Sequence, residues 1–165
     1  MDWREFESEV EQYFREEYPN AHIARNVKVP GIHSGVLRQI DVLIEQQLCD
    51  MPFRIVVDAK YRAEKLDVKD IEEFLGLAQD VQANKAILVS LSGYTDAAIT
   101  RASKADLLLD VLNFDDLHQY QGLTGIPYSG ENGAVVQPPL ARLDCRWNAR
   151  KRRTRMALPA RLDAF

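Results

Sequence analysis

The stretch Ile55-Val56-Val57-Asp58-Ala59-Lys60-Tyr61-Arg62 (IVVDAKYR) begins as an interior β-strand, then places a carboxylate and an ammonium where apolar residues would continue. Side chains alternate between the faces of a strand, so Val56, Asp58 and Lys60 share one face and Ile55, Val57 and Ala59 the other. Asp58 and Lys60 are then neighbours, about 6–7 Å apart along the strand. In the preceding strand candidate, RQIDVLIE from Arg38 to Glu45, Gln39 and Asp41 share a face opposite Ile40, Val42 and Ile44. A hairpin register that joins the two polar faces would gather Asp41, Asp58, Lys60 and Gln39 at one end of a sheet.

The elements around this stretch follow from periodicity. Trp3, Phe6, Val10, Tyr13 and Phe14 recur at helical spacing from about Asp2 to Tyr18, and Pro19-Asn20 closes that helix. His22 to Val29 alternates apolar and polar residues and ends at Pro30-Gly31; Val36 to Glu45 and Met51 to Lys60 form the expected antiparallel hairpin. Asp67 is placed to cap a helix reaching about Gln82, with Val68, Ile71, Phe74, Leu75, Ala78 and Val81 inward. KAILVSL (Lys85 to Leu91) is a nearly continuous apolar run of the kind a doubly covered parallel strand shows. Thr95 to Lys104 reads as a helix packing through Ala97, Ala98, Ile99 and Ala102. Leu107 to Leu112 reads as a strand, and Asp115 to Tyr120 as a short acidic helix or turn. The predicted class is α/β: helix, three strands, helix and strand, with a further helix and strand, in a central mixed sheet flanked by helices.

A chain of 165 residues is expected to hold one main domain. Residues 1–120 are assigned to it, and 121–165 to a basic extension containing Pro, Gly and Arg, too short for a well-built second domain. No apolar run approaches a membrane span, and the acidic N-terminus lacks the pattern of a secretory signal, so a cytoplasmic protein without membrane association is expected. Cys49 and Cys145 are far apart and lack metal-ligand spacing. The net charge of −4 conceals an asymmetry: Arg142 to Phe165 carries +6, and the remainder −10. A basic tail on an acidic body is a pattern of nucleic-acid partners, although a solvated tail has the same composition. Arg150, Arg152 and Arg153 are its candidate phosphate contacts, and Trp147 within it could stack on a base or dock on the body.

Two carboxylates and a lysine in one place suit phosphodiester hydrolysis. Carboxylate oxygens bind a hard cation such as Mg2+, which activates water and offsets charge on a phosphate, and a lysine adds a positive point charge. The plain alternative is a salt-bridged or exposed pair at a strand end. The spacing alone is weak, since Asp67-Val68-Lys69 repeats it; there the aspartate stands where a helix begins and has a capping role.

The series RQIDVLIE, IVVDAKYR, DVKDIEEFLGLAQDVQANKAILVS (Asp67 to Ser90) and SGYTDAAITRA (Ser92 to Ala102) resembles the Mrr-like restriction endonuclease domains of the PD-(D/E)xK nuclease superfamily. The likeness runs from about Trp3 to Leu117. It implies an Mg2+-dependent DNA endonuclease, with Mn2+ as a substitute, of restriction or defence type. On the family pattern, Asp41 and Asp58 are metal-binding acids, Lys60 is the catalytic lysine, and the Ala59 carbonyl is a further ligand. Phe6-Glu7 matches a first-helix Phe-Glu pair. On a helical wheel Glu7 lies about 70° from the centre of the apolar stripe and Glu11 about 110°, which favours Glu7. Ile40 stands where the superfamily has proline, and Asp58 where Glu or Gln is commoner, so the shorter acid must reach the metal from a closer backbone.

Arg62, Lys28 and Gln39 are candidate DNA contacts around the site, although exposed bases at strand ends are ordinary. His33 lies in a Gly-flanked loop without an evident partner. Ser90, Ser92 and Gly93 resemble the family's strand-to-helix turn. Three alternatives remain open: a nuclease-like fold that only binds nucleic acid, a nuclease-like fold that only binds protein, and a junction or repair nuclease. A homodimer with two sites, which would favour double-strand cutting, and a specificity-conferring partner protein are also left open.

Overall fold

The computed structural model describes residues 1–48 and 50–120 and, beyond them, the antiparallel pairing of Tyr128–Ser129 with Val135–Val136. The chain divides into Met1–Tyr120 and Gln121–Phe165, and the fold below is that of the first unit. Cys49, Cys145, Trp147, Arg150, Arg152 and Arg153 lie outside the described residues.

Helix α1 spans Trp3–Glu17. Its first turn is closed by a reciprocal cap, in which Asp2 accepts the N–H groups of Arg4 and Glu5 while Glu5 accepts that of Asp2. Phe6, Val10, Tyr13 and Phe14 are buried from it. Removing a side chain such as Phe6 from water stabilises the fold by about 1.5–3 kcal/mol, so Phe6→Asp would detach the helix. Trp3, expected to face inward, is 51% exposed with the Arg4 guanidinium over its ring. As the first helical residue it lies one turn before the buried stripe begins at Phe6.

The sheet holds five strands in the order β1 (His22–Pro30), β2 (Leu37–Leu48), β3 (Met51–Lys60), β4 (Lys85–Ser90) and β5 (Leu108–Asn113). The first three pair antiparallel; β4 runs parallel to β3, and β5 parallel to β4. This is the α/β mixed sheet expected from the order of patterns. All six residues of β4 are buried; Ala86 to Val89 form the apolar run of a doubly covered strand, and the polar Lys85 and Ser90 stand at its ends. On one face, α2 (Val68–Asp80) packs Ile71, Phe74, Leu75 and Ala78 into a cluster with Leu43, Val56, Ala86 and Leu88; Ala98 and Ala102 of α3 (Asp96–Ser103) join it. Asp67 caps α2 as expected, reciprocally with Asp70. Val68, Ala97 and Ile99, expected to be inward, are exposed: Val68 precedes the stripe of α2, and α3 touches the core only through the small side chains of its inner edge.

One departure from simple alternation shapes the end of the sheet. Ile40 and Leu43 both belong to the cluster under α2, although three residues on one strand should place them on opposite faces. The β1–β2 hairpin therefore turns over between them, and Ile40 leaves the face of Val42 and Ile44 that the sequence pattern assigned to it. Asn26, which the β1–β2 register skips together with Asp41, sits at the turnover with φ of 52°. Asparagine tolerates that left-handed conformation because its short polar side chain bonds locally, and here its Oδ1 accepts from Gln39 Nε2 at 2.6 Å.

Beyond the turnover the hairpin tip is tied to α2. The Asp80 carboxylate accepts the N–H groups of His33 and Ser34 and the Ser34 hydroxyl, and these bonds hold it below the usual carboxylate range. Gly31 passes so close that a Cβ there would overlap Asp80. No helix of the described residues is long and apolar enough to cross a membrane.

Candidate active site

The β2–β3 ladder runs from Leu48↔Met51 to Val42↔Val57 and stops. Just past its last rung, Asp41 Oδ2 accepts the backbone N–H of Ala59 at 2.9 Å. A strand residue sends its N–H and C=O to the same side, so the Ala59 carbonyl also leaves toward β2. Asp58 and Lys60 follow on the neighbouring positions of β3, which here is paired only with β4.

Asp58 is the most perturbed acid of the group. Its side chain is 16% exposed, and Lys60 Nζ lies 2.8 Å from its Oδ2. Burial, and after it the neighbouring Asp41 carboxylate, push the Asp58 carboxyl up to about 7, against the pull of Lys60. Burial opposes the Lys60 ammonium, but Asp58, with Asp41 and Glu73 behind it, holds that ammonium above its usual range. Glu7 is half-buried on α1, and its carboxyl is raised by burial, countered by Arg25 and reinforced by Asp58. Glu11 is committed elsewhere, to Arg15 at 2.7 Å and Arg25 at 3.3 Å.

Asp41, Asp58, Lys60 and Gln39 line one cavity of about 230 Å3, and α2 closes it with Asp70, Glu73, Phe74 and Leu77. The structure thus brings together the four strand residues named from the sequence, and adds two carboxylates that were not named. Their signal was present: Asp70, Glu73, Phe74 and Leu77 repeat at helical spacing along one edge of the α2 stripe. Arg62 lies outside the cavity and pairs with Asp70 at 2.9 Å. Lys28 is exposed and lies directly across the β1–β2 ladder from Gln39. A larger cleft, of about 530 Å3, opens at the ends of β4 and β5 beside Lys65, Ser92, Asn113, Asp115 and Asp116, and it contains none of Gln39, Asp41, Asp58 or Lys60.

Among the described residues no three acidic, histidine or cysteine side chains form a complete cation cage. Asp41 and Asp58 could still serve a cation such as Mg2+, which keeps several waters and takes only one or two carboxylates. Asp41 and Asp58 press on each other electrostatically, and a divalent cation between them would relieve that repulsion.

The sequence model of the Mrr catalytic domain, described as a restriction endonuclease, matches residues 1–120. The chain belongs to this family. Its fold is similar to that of a crystal structure described as protein of unknown function AF1548, at 17% identity and a TM-score of 0.54, over 74% of this chain and 68% of that one. Likeness extends to the restriction endonuclease FokI (11% identity, TM-score 0.47, 69% of this chain and 23% of that one). It extends also to MspJI, a restriction endonuclease in complex with a 27-mer oligonucleotide (14%, 0.44, 68% and 26%). This Mrr-family chain spans about a quarter of the length of those two enzymes. No curated protein matches its sequence.

Proposed function

We propose that this Mrr-family domain is a metal-dependent endonuclease that hydrolyses DNA phosphodiester bonds, in a restriction or defence role. The observation that carries the reading is the convergence of Asp41, Asp58 and Lys60 in one cavity where the β2–β3 ladder opens. Asp41, Asp58 and the Ala59 carbonyl would hold Mg2+, or Mn2+ in its place. When bound, such an ion lowers the pKa of a coordinated water and offsets charge on the phosphate.

The protein's own groups do the rest. The Ala59 N–H fixes Asp41, so one oxygen of that carboxylate is oriented before any ligand arrives. Lys60 presents an ammonium beside the phosphate, where negative charge grows as water adds to phosphorus and the leaving oxygen departs. Glu7 assists from α1 as a further acid near Asp58. Lys28 and Gln39, opposite each other across the ladder, would position the DNA backbone, and the basic tail would supply attraction that the acidic body lacks.

The test is cleavage of supercoiled plasmid with Mg2+, Mn2+ or EDTA, beside folded Asp58→Ala and Lys60→Ala proteins. Metal-dependent nicking lost in both variants is the expected result. DNA binding that survives EDTA and ignores Asp58→Ala, without cleavage in either metal, would overturn the reading in favour of a binding module.

A further inference from the structure

Lys60 and the proposed cation compete for the same carboxylate. Among the described residues, the ion pair of Lys60 is with Asp58, at 2.8 Å. If Asp58 turns its oxygens to a cation, the ammonium needs a second anchor, because a half-buried charge left without a partner is destabilising.

The cavity wall offers three other carboxylates. Asp41 is itself a proposed ligand and already accepts the Ala59 N–H. Asp70 is committed twice, to Arg62 at 2.9 Å and to the Asp67 N–H at the start of α2. Glu73, one turn further along α2, lines the same cavity, and among the described residues no hydrogen bond or ion pair engages it. Its charge already contributes to the electrostatic hold on Lys60.

We propose that Glu73 is a positioning residue that receives the Lys60 ammonium when a divalent cation takes Asp58, keeping the lysine pointed into the cavity. The proposal rests on the nuclease reading above and assigns Glu73 no direct bond to the metal. A flexible four-carbon stem lets the ammonium swing between two acceptors on facing walls, whereas the short, buried Asp58 cannot follow it. Glutamate suits the acceptor role, since it stands at the exposed rim of the helix and still lines the cavity.

The experiment compares wild type, Glu73→Gln and Glu73→Asp in the full chain. Glu73 is exposed, so all three are expected to fold alike. Acetylation of Lys60 by a small amine-reactive ester, followed by mass spectrometry, is measured without DNA in EDTA and in Mg2+. Wild type should show less than about a twofold rise in labelling on adding Mg2+, and Glu73→Gln a rise of about fivefold or more, with Glu73→Asp between them. Mn2+ affinity, measured by titration of the metal alone, should stay within about threefold of wild type. In cleavage, Glu73→Gln should lower kcat by about tenfold or more and leave KM within about twofold. Equal labelling in wild type and Glu73→Gln would overturn the proposal. A fall in Mn2+ affinity of about tenfold or more would also overturn it, in favour of a metal-ligand role. An inactive wild type would sink the nuclease reading, while the labelling comparison would still judge Glu73.

Discussion

Asp41 accepts the Ala59 N–H one residue past the point where β2 and β3 cease to pair, so a side chain takes over a bond that the sheet no longer makes. This separates the structural task of Asp41 from the proposed chemical one. Asparagine keeps an acceptor oxygen and loses the charge. Asp41→Asn should unfold within a few degrees of wild type, yet lose about tenfold or more in Mn2+ affinity and about 100-fold or more in cleavage. Calorimetric melting beside a metal titration separates the two effects.

Asp58 makes the metal-free protein pH-dependent in an unusual direction. Its carboxyl titrates near 7 in the folded protein against 3.8 for the free group, so between those values the folded state holds a proton that the unfolded chain has released. Stability should therefore fall as pH rises from about 4 to about 7, on the order of a few kcal/mol, and level off above. Denaturant titrations in EDTA across this range, with Asp58→Asn as the flattened control, check it. Mg2+ must displace the same proton, so apparent affinity should weaken about tenfold per unit below pH 7.

The basic residues beside the site divide by how they are held. Arg62 is tied to Asp70, so Arg62→Ala should change DNA affinity by less than about threefold. Lys28 is exposed across from Gln39, and Lys28→Ala should weaken binding of all sequences alike while lowering the salt slope by about one. Fluorescence anisotropy at several salt concentrations distinguishes the two.

At the opposite end of the parallel strands Lys85 is buried, with Nζ 2.6 Å from Asp110, and the Tyr120 hydroxyl donates to the same carboxylate. Asp110 keeps about a third of its surface, which screens the pair. Lys85→Ala should cost on the order of 2–3 kcal/mol. Lys85 lies opposite Ile55, roughly 16 Å along the strand from Lys60, so cleavage per folded molecule should be unchanged.

Much of this architecture was legible because the patterns are local. The acid at Asp67, the stripe Ile71-Phe74-Leu75-Ala78 and the run KAILVS each determine an element through capping, one-sided burial or two-sided burial. Alternation likewise placed Asp58 and Lys60 on one face, and left their meeting with Asp41 to the hairpin register. The turnover at Asn26 was not legible, because it depends on which helix covers each half of the hairpin, a tertiary fact. Trp3, Val68 and Ile99 were misplaced for a related reason: helical spacing tells which side is apolar, but not how far the sheet extends beneath it. Asp70 and Glu73 went unnamed because an acidic helix offers many carboxylates, and only the packing of Phe74 and Leu77 decides which edge turns to the site.

The hairpin tip has a consequence for how such a domain diversifies. Ile32, Val36 and Leu37 stand out in solvent around a loop that a single carboxylate, Asp80, clasps to α2. The outward residues of this prong thereby stand apart from Asp41, Asp58 and Lys60, with Leu37 opening the same strand that carries Asp41. Its outward residues can be exchanged, with Gly31, Ser34 and Asp80 retained as the clasp, while Asp41, four residues along β2 from Leu37, keeps its footing.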